Sequence, residues 1–352
     1  MARKTQSEPR SASVDLLTLA ECVERFEGKR VVVFGDFVAD SFQSGDITRV
    51  SREAPVLILR HRETHIVPGG AANAANNLAA LGARVLPISV VGDDPAGSQL
   101  IAYLRAKNVD LSGILRLRGH QTPTKTRFLA GWAHTVGQQV LRVDYEPRVQ
   151  LDSQHTRKIQ SLLNSKMKAA DALAISDYGF GVVSPERVRA AAALPTREIP
   201  IGLDSRYRLP DYARTGVTTA TPNEAELEAA HHIVIGRDAK ELERCGRSTL
   251  KAMGLRSLVV TRGRHGMALF QNGQNTIHLP VHGSDQAVDV TGAGDTVLAA
   301  YTLALAAGAS PIEAVHIANI AGGLVVMKRG TATVAREELL EAIRNAASEM
   351  TS

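Results

Sequence analysis

Cysteine is nearly missing: Cys22 and Cys245 are the only two in 352 residues. With no C-x-x-C pair and no ligand spacing around either, the chain offers no disulfide scaffold and no cysteine-based zinc site, which fits a reducing, cytoplasmic compartment. Aromatic residues make up 4%, too few for a base-stacking surface. Lys and Arg number 41 against 36 acids, but they are interleaved with Asp and Glu and form no basic stripe, so nucleic acid is not an expected partner. No apolar run is long enough to span a bilayer, and no membrane partner is expected. The basic start runs into "SVDLLTLAECVERF", an acid-interrupted amphipathic helix and not a signal peptide. Also missing are G-x-x-x-x-G-K-[ST], G-x-S-x-G and H-E-x-x-H, which removes the common phosphate loop and two hydrolase designs. The pairs His61/His65 and His231/His232 have no carboxylate or Cys spaced to complete a metal site and read as surface or packing residues.

What is present has globular proportions, 44% hydrophobic and 22% charged. Residues 1–13 are expected to be a disordered tail, followed by one domain over 14–348. From "RVVVFGD" onward, "ARVLPISVVGD", "DALAISDYG", "IPIGLDSR" and "LRSLVVTRG" alternate with helical patterns. That alternation predicts an α/β fold with a mostly parallel central sheet covered on both faces, in three layers. Ligands in such sheets gather at the carboxyl ends of the strands, here marked by Asp36, Asp93, Asp177, Asp204 and Thr261. Two segments, about 46–67 and 122–145, break into short β-like runs with no helix between them and predict a small β lid over those ends.

Two stretches carry candidate chemistry. In "PGGAANAANNLAALG", Gly69 and Gly70 permit a tight turn and Asn73 falls in the first helical turn; taken alone, the stretch reads as an Ala-rich packing helix with a Gly turn at its start. In "VDVTGAGDTVLAAYTLALAAG", Gly292, Ala293 and Gly294 open a helix whose free N–H groups attract anions, yet Asp295 follows at once. Asp295 is either a helix cap or a base beside the anion site. In the second reading Gly292, Ala293 and Gly294 hold the charge on a moving phosphoryl group while Asp295 accepts a proton from the attacking hydroxyl. A dinucleotide loop is a poor fit, because the third Gly is lacking and Asp295 would face the pyrophosphate.

"DVTGAGD" together with "PGGAAN" resembles the paired signatures of the ribokinase/PfkB carbohydrate kinases, over about residues 30–345. The resemblance implies a ribokinase-like three-layer sandwich, with Asp295 as catalytic base. It places Gly69, Gly70, Asn73 and Asp36 on sugar, with Asp177 beside them at a strand end. Asn223 to Glu226 in "TPNEAE" matches the family's N-x-x-E, which orients Mg²⁺, through water at Glu226, and phosphate. Thr261, Gly263 and Gly266 in "VTRGRHG" match the nucleotide turn, and Asn319 lies where the late helix borders adenine. ATP and Mg²⁺ are the implied cofactors. Within the family, "RVSREAPV", "PTKTRF" and "QQVLRVDYE" resemble the D-glycero-β-D-manno-heptose 7-phosphate kinases, which make the 1,7-bisphosphate for ADP-heptose and lipopolysaccharide. Some of those carry a fused nucleotidyltransferase, which is not expected in a sequence of this length.

Departures lie at Asp204-Ser205-Arg206, where these kinases have Asp-Pro-Lys, and at Phe180-Gly181, where they have Lys-Gly; "AGWAHTVG" in the lid is also longer. Lys125, Arg127, Arg142 and Arg206 are the cations that could replace the lost lysine. The expected partners are a sugar phosphate and a nucleotide, with a homodimer formed through the lid. The alternatives are a PfkB-family kinase of another sugar or sugar phosphate, and a sugar-sensing pseudokinase, whose mark would be loss of the base or of N-x-x-E.

Overall fold

A computed structural model describes residues 14–131, 137–147, 151–236, 238–284 and 286–351. The tail expected at 1–13 and most of the long lid segment "AGWAHTVG" lie outside the described residues. In chain order the strands are β1 (Arg30–Gly35), β2 (Phe37–Val50), β3 (Leu57–Gly70), β4 (Arg84–Gly92), β5 (Ile114–Leu117), β6 (Thr124–Gly131) and β7 (Gln138–Tyr145). They continue with β8 (Ala172–Asp177), β9 (Ile201–Ser205), β10 (Thr219–Ala220), β11 (Ser257–Thr261), β12 (Met267–Gln271) and β13 (Ile277–Leu279). The helices are α1 (Leu16–Glu24), α2 (Ala71–Ala80), α3 (Pro95–Ala106), α4 (Ser153–Met167) and α5 (Pro185–Ala192), then α6 (Glu224–His231), α7 (Ala239–Met253), α8 (Ala293–Ala306), α9 (Pro311–Val325) and α10 (Arg336–Thr351).

Nine strands form the main sheet in the order β13-β12-β11-β10-β9-β8-β1-β4-β5, parallel except for the β12 and β13 edge. Alternation along β1 sorts the core. Val31 and Val33 pack with α1, α2, α8 and α9, while Val32 and Phe34 face α4, α5 and α7 on the other side. The helices begin where the sequence supplies caps: Asp94 before Pro95, Ser184 before Pro185, Asp238 before α7.

The second sheet runs β3-β2-β6-β7. Its strands start earlier than the sequence pattern suggests, at residue 37 and not near 46, because β2 leaves the end of β1 with only Asp36 between them. Phe37 pairs with Gly70, the residue before α2, so the lid is rooted on both strands at the carboxyl edge of the main sheet. The early residues of β2, "FVADS", are as apolar as a core strand because they are buried there. Only beyond Asp46 does β2 become exposed and read as a lid.

Candidate active site

Under the lid lies a cleft of about 330 Å³, bordered by Asp40, Lys125, Arg127, Tyr178, Arg206 and Asp295 among others. A narrower, more apolar groove of about 170 Å³ runs between the 263–267 turn and α9, and holds Gly263, Gly266 and Asn319. Thr261 and Gly294 border both. The first turn of α8 therefore sits where the two cavities meet.

The N-cap of α8 is Gly292, with φ 79°, and Asp295 lies three residues in, with its carboxylate bonded to side chains from outside the helix. Its Oδ2 accepts from Asn73 Nδ2 at 2.9 Å and its Oδ1 from the Tyr178 hydroxyl at 3.3 Å. Gly292 is obligatory on two counts: its φ is left-handed, and a Cβ there would stand 2.5 Å from Asn73 Nδ2. Of the three residues expected to form the anion hole, Ala293 turns its N–H back to Val290 O at 3.3 Å. Gly292 and Gly294 keep first-turn N–H groups without a helical acceptor. Burial, reinforced by the charge of Asp40, pushes the Asp295 carboxyl up to about 7 against the pull of Asn73, Tyr178 and Lys125.

Asn73 is itself fixed, since Asn77 Nδ2 donates to its Oδ1 at 3.1 Å and to its carbonyl at 3.0 Å. Fully buried, it reaches Asp295 and Gly292 O and does not border the cleft. Gly70 does border the cleft, and a Cβ on Gly69 would meet Asp40 Oδ2 at 2.7 Å. The Gly-Gly pair is thus the space that the Asp40 carboxylate occupies.

Asp36, expected on sugar hydroxyls, has another task. It is buried, and its two oxygens accept from the backbone N–H groups of Tyr178, Phe180 and Val182 at 2.9–3.1 Å. Burial and the neighbouring Asp177 raise it to about 6. It shapes the loop after β8 and does not face the cleft. The carboxylate that does is Asp40, four residues on. Val38 and Asp40 point to one side of β2, as Lys125 and Arg127 do on β6. The clue in the sequence was an acid inside the apolar run "FVADSF", in step with Asp36.

Asp177 reaches the cleft edge, but its oxygens are engaged by Arg208 at 2.9 Å, Tyr212 at 2.6 Å and Ser205 at 3.1 Å. Arg127 forms a buried ion pair with Asp40 at 2.6 Å and stacks on Phe42. Arg142 lies opposite it on β7, paired through two bonds with Asp144 and outside the cleft. Lys125 and Arg206 border the cleft, and among the described residues neither forms a salt bridge. Burial and the proximity of Arg206 lower the Lys125 amine.

Asn223 and Glu226 form a capping box at the start of α6: Asn223 Oδ1 accepts from Glu226 N, and Glu226 Oε2 from Asn223 N, both at 2.9 Å. Both border the cleft. Burial raises the Glu226 carboxyl, and burial with the charge of Glu226 raises Asp204. Crowded acids of this kind fit a divalent cation. Among the described residues no group of three or more His, Cys, Asp or Glu forms a ready-made metal cage. Mg²⁺ keeps its waters and takes few protein ligands, so Asp204 and Glu226 fit it without such a cage. On the groove side, Asn319 borders the groove and its Nδ2 donates to Pro280 O at 2.8 Å.

The model of the pfkB family of carbohydrate kinases matches residues 29–338. The bifunctional protein HldE of Geobacter sulfurreducens is 39% identical over 311 residues, covering 88% of this chain and 62% of the relative. HldE of Pelobacter propionicus is 36% identical over 342 residues, covering 96% and 68%. This chain thus spans about two thirds of the length of these relatives. Among solved structures, Arabidopsis thaliana ribokinase complexed with ribose and ATP superposes with a TM-score of 0.68 at 20% identity, over 90% of this chain and 99% of that one. Escherichia coli phosphofructokinase-2 in complex with substrates and products gives 0.72 at 20% identity, over 90% and 99%. The fold is ribokinase-like.

Proposed function

The chain belongs to the pfkB family of carbohydrate kinases and is a phosphotransferase; from that premise we propose that it transfers the γ-phosphoryl group of ATP to the anomeric hydroxyl of D-glycero-β-D-manno-heptose 7-phosphate. The product is the 1,7-bisphosphate, on the way to ADP-heptose and the lipopolysaccharide core. The observation that carries the reading is Asp295, a buried carboxylate off its helix cap and placed where the cleft and the groove meet.

Asp40, in the space left by Gly69, receives sugar hydroxyls. Asp295 takes the proton of the anomeric hydroxyl as its oxygen bonds to the γ-phosphorus, and the bond to the β-phosphate oxygen breaks to release ADP. The N–H groups of Gly292 and Gly294 meet the charge on the phosphoryl oxygens. Glu226 would hold Mg²⁺, which when bound supplies positive charge against the nucleotide phosphates. Thr261, Gly263, Gly266 and Asn319 line the nucleotide side, with Asn223 at the phosphates.

Similarity to the HldE proteins supports the heptose assignment. A kinase of another sugar or sugar phosphate is favoured by one observation: Phe180 is buried where a substrate-phosphate lysine is expected, and Arg127 and Arg142 are already paired. Release of ADP across a panel of sugars and sugar phosphates decides between them. Heptose 7-phosphate is expected to give the highest kcat/KM, and preference for any other acceptor overturns the assignment.

The same reading puts the chain in the cytoplasm as a homodimer joined through the lid. No helix among the described residues is long and apolar enough to cross a membrane. Val50, Val56, Leu57, Leu141 and Tyr145 are exposed on or beside the lid strands. Sedimentation equilibrium is expected to give twice the chain mass, and a monomer would refute the lid interface.

A further inference from the structure

Tyr178 follows the last residue of β8 and is fixed at both ends of its geometry. Its backbone N–H donates to Asp36 Oδ2 at 2.9 Å, within the set of three bonds that shapes this loop. Its hydroxyl donates to Asp295 Oδ1 at 3.3 Å. On the ring, Lys125 Nζ stands 5.0 Å from the centroid, a cation–π contact made by lid strand β6. The ring also lies against Gly70, where a Cβ would come 3.3 Å from Tyr178 Cδ2. One side chain therefore touches the lid on one side and the base on the other.

We propose that Tyr178 is a positioning residue that holds Asp295 ionised and ties that state to the lid through Lys125. A hydroxyl donor facing a buried carboxylate favours the charged form, the form that accepts a proton from the sugar. The hydroxyl keeps its own proton, because burial and the charge of Asp295 push the phenol far above its usual range. It is a donor throughout and takes no part in the proton transfer. The other groups facing Asp295 are Asn73 from α2, Asp40 and Lys125 from the lid and Asp204 from β9. Asn73 donates to the opposite oxygen, so the two carboxylate oxygens have separate supports. Phe would fill the same volume as Tyr and remove only the donor.

The inference rests on Asp295 being the base, and its test needs no sugar. Burying Asp295 as an anion destabilises the fold, and this cost is absent below the ordinary value of 3.8 and complete above about 7. The melting temperature of Asp295→Asn minus that of the parent therefore rises with pH and levels off where Asp295 ionises. Repeating the comparison in a Tyr178→Phe background is expected to move the levelling point upward by about one pH unit, a tenfold change in the ionisation constant. Lys125→Met is expected to move it the same way, and the double variant by less than the sum, because Lys125 acts in part through the ring. An unmoved levelling point in Tyr178→Phe overturns the proposal, and full additivity with Lys125→Met overturns the link to the lid. With whichever sugar the panel identifies, the acid limb of kcat/KM in Tyr178→Phe is expected to shift in the same direction. A loss of equal size at every pH would mark a merely structural role and overturn the proposal. The melting series reads the base whether or not heptose 7-phosphate is the acceptor.

Discussion

Asn73 and Asp295, 222 residues apart in the chain, meet through a single bond of 2.9 Å between the first turns of α2 and α8. Two Gly-led helix starts, each explicable alone as local structure, become one site through this contact. Burial of the Asp295 carboxylate at this contact raises its proton affinity to near neutrality, against the pull of the Asn73 bond.

Activity is expected to follow that ionisation. A base must be deprotonated to act, so kcat/KM should rise about tenfold per pH unit below about 7 and level off above it. Asp295→Asn keeps the shape and the neighbours but cannot accept the proton, and the expected loss in kcat is on the order of 10²-fold or more. Because ionised Asp295 is a cost to the fold, the variant should melt no lower than the parent on the alkaline side. Full activity in the variant would remove Asp295 from the chemistry.

Which parts were legible in the sequence follows from how local each is. Gly292 to Asp295, Gly69 to Asn73 and Asn223 to Glu226 are turns into helices, and their spacing along the chain is their spacing in space. The choice between Asp36 and Asp40 was not local. It depends on which carboxylate the loop at 178–182 satisfies, and that loop arrives from another strand. Arg127 likewise reads as a free cation until Asp40, on the neighbouring strand, is seen to neutralise it. Tyr178 carried no signal beyond its place after a strand-end acid. The lid was legible only where it leaves the core, since the buried start of β2 has the composition of a central strand.

Gly69→Ala tests the assignment of Asp40 to the sugar. The added methyl would come within 2.7 Å of Asp40 Oδ2, so the carboxylate must move or turn. Gly69 does not border the groove of Gly263, Gly266 and Asn319. The sugar KM should rise on the order of tenfold, comparable to a lost hydrogen bond to a charged group, with the ATP KM nearly unchanged. Equal effects on both substrates, or none on the sugar, would contradict the role.

Glu226 caps α6 and is the proposed holder of Mg²⁺, and Glu226→Gln separates the two. Gln supports a capping box as Glu does, so α6 and the melting temperature should be retained. The negative charge is lost, and the Mg²⁺ concentration for half-maximal rate should rise more than the sugar KM does. An unchanged Mg²⁺ dependence would reduce Asn223 and Glu226 to a helix start.

A phosphorylated sugar, as proposed, needs a cation whose charge is not already spent. Arg127 does not qualify, because its guanidinium is buried against Asp40 with side chains 10% and 7% exposed. Arg127→Met would strand the Asp40 carboxylate, and breaking a buried pair from one side costs roughly 3–5 kcal/mol. Lower stability and weaker binding of every sugar, phosphorylated or not, are therefore expected. Lys125 is different: it borders the cleft, its amine stands over the Tyr178 ring, and burial beside Arg206 makes an anion between the two favourable. Losing a charged hydrogen bond weakens binding by on the order of tenfold to a hundredfold. On the alkaline plateau, where Asp295 is ionised in both proteins, Lys125→Met should raise KM for heptose 7-phosphate by that factor and change KM for an unphosphorylated sugar far less. Measuring both constants for both variants separates the roles. If Arg127→Met proves selective for the phosphorylated sugar and Lys125→Met does not, the phosphate lies on the Arg127 side and the pairing with Asp40 gives way when substrate binds.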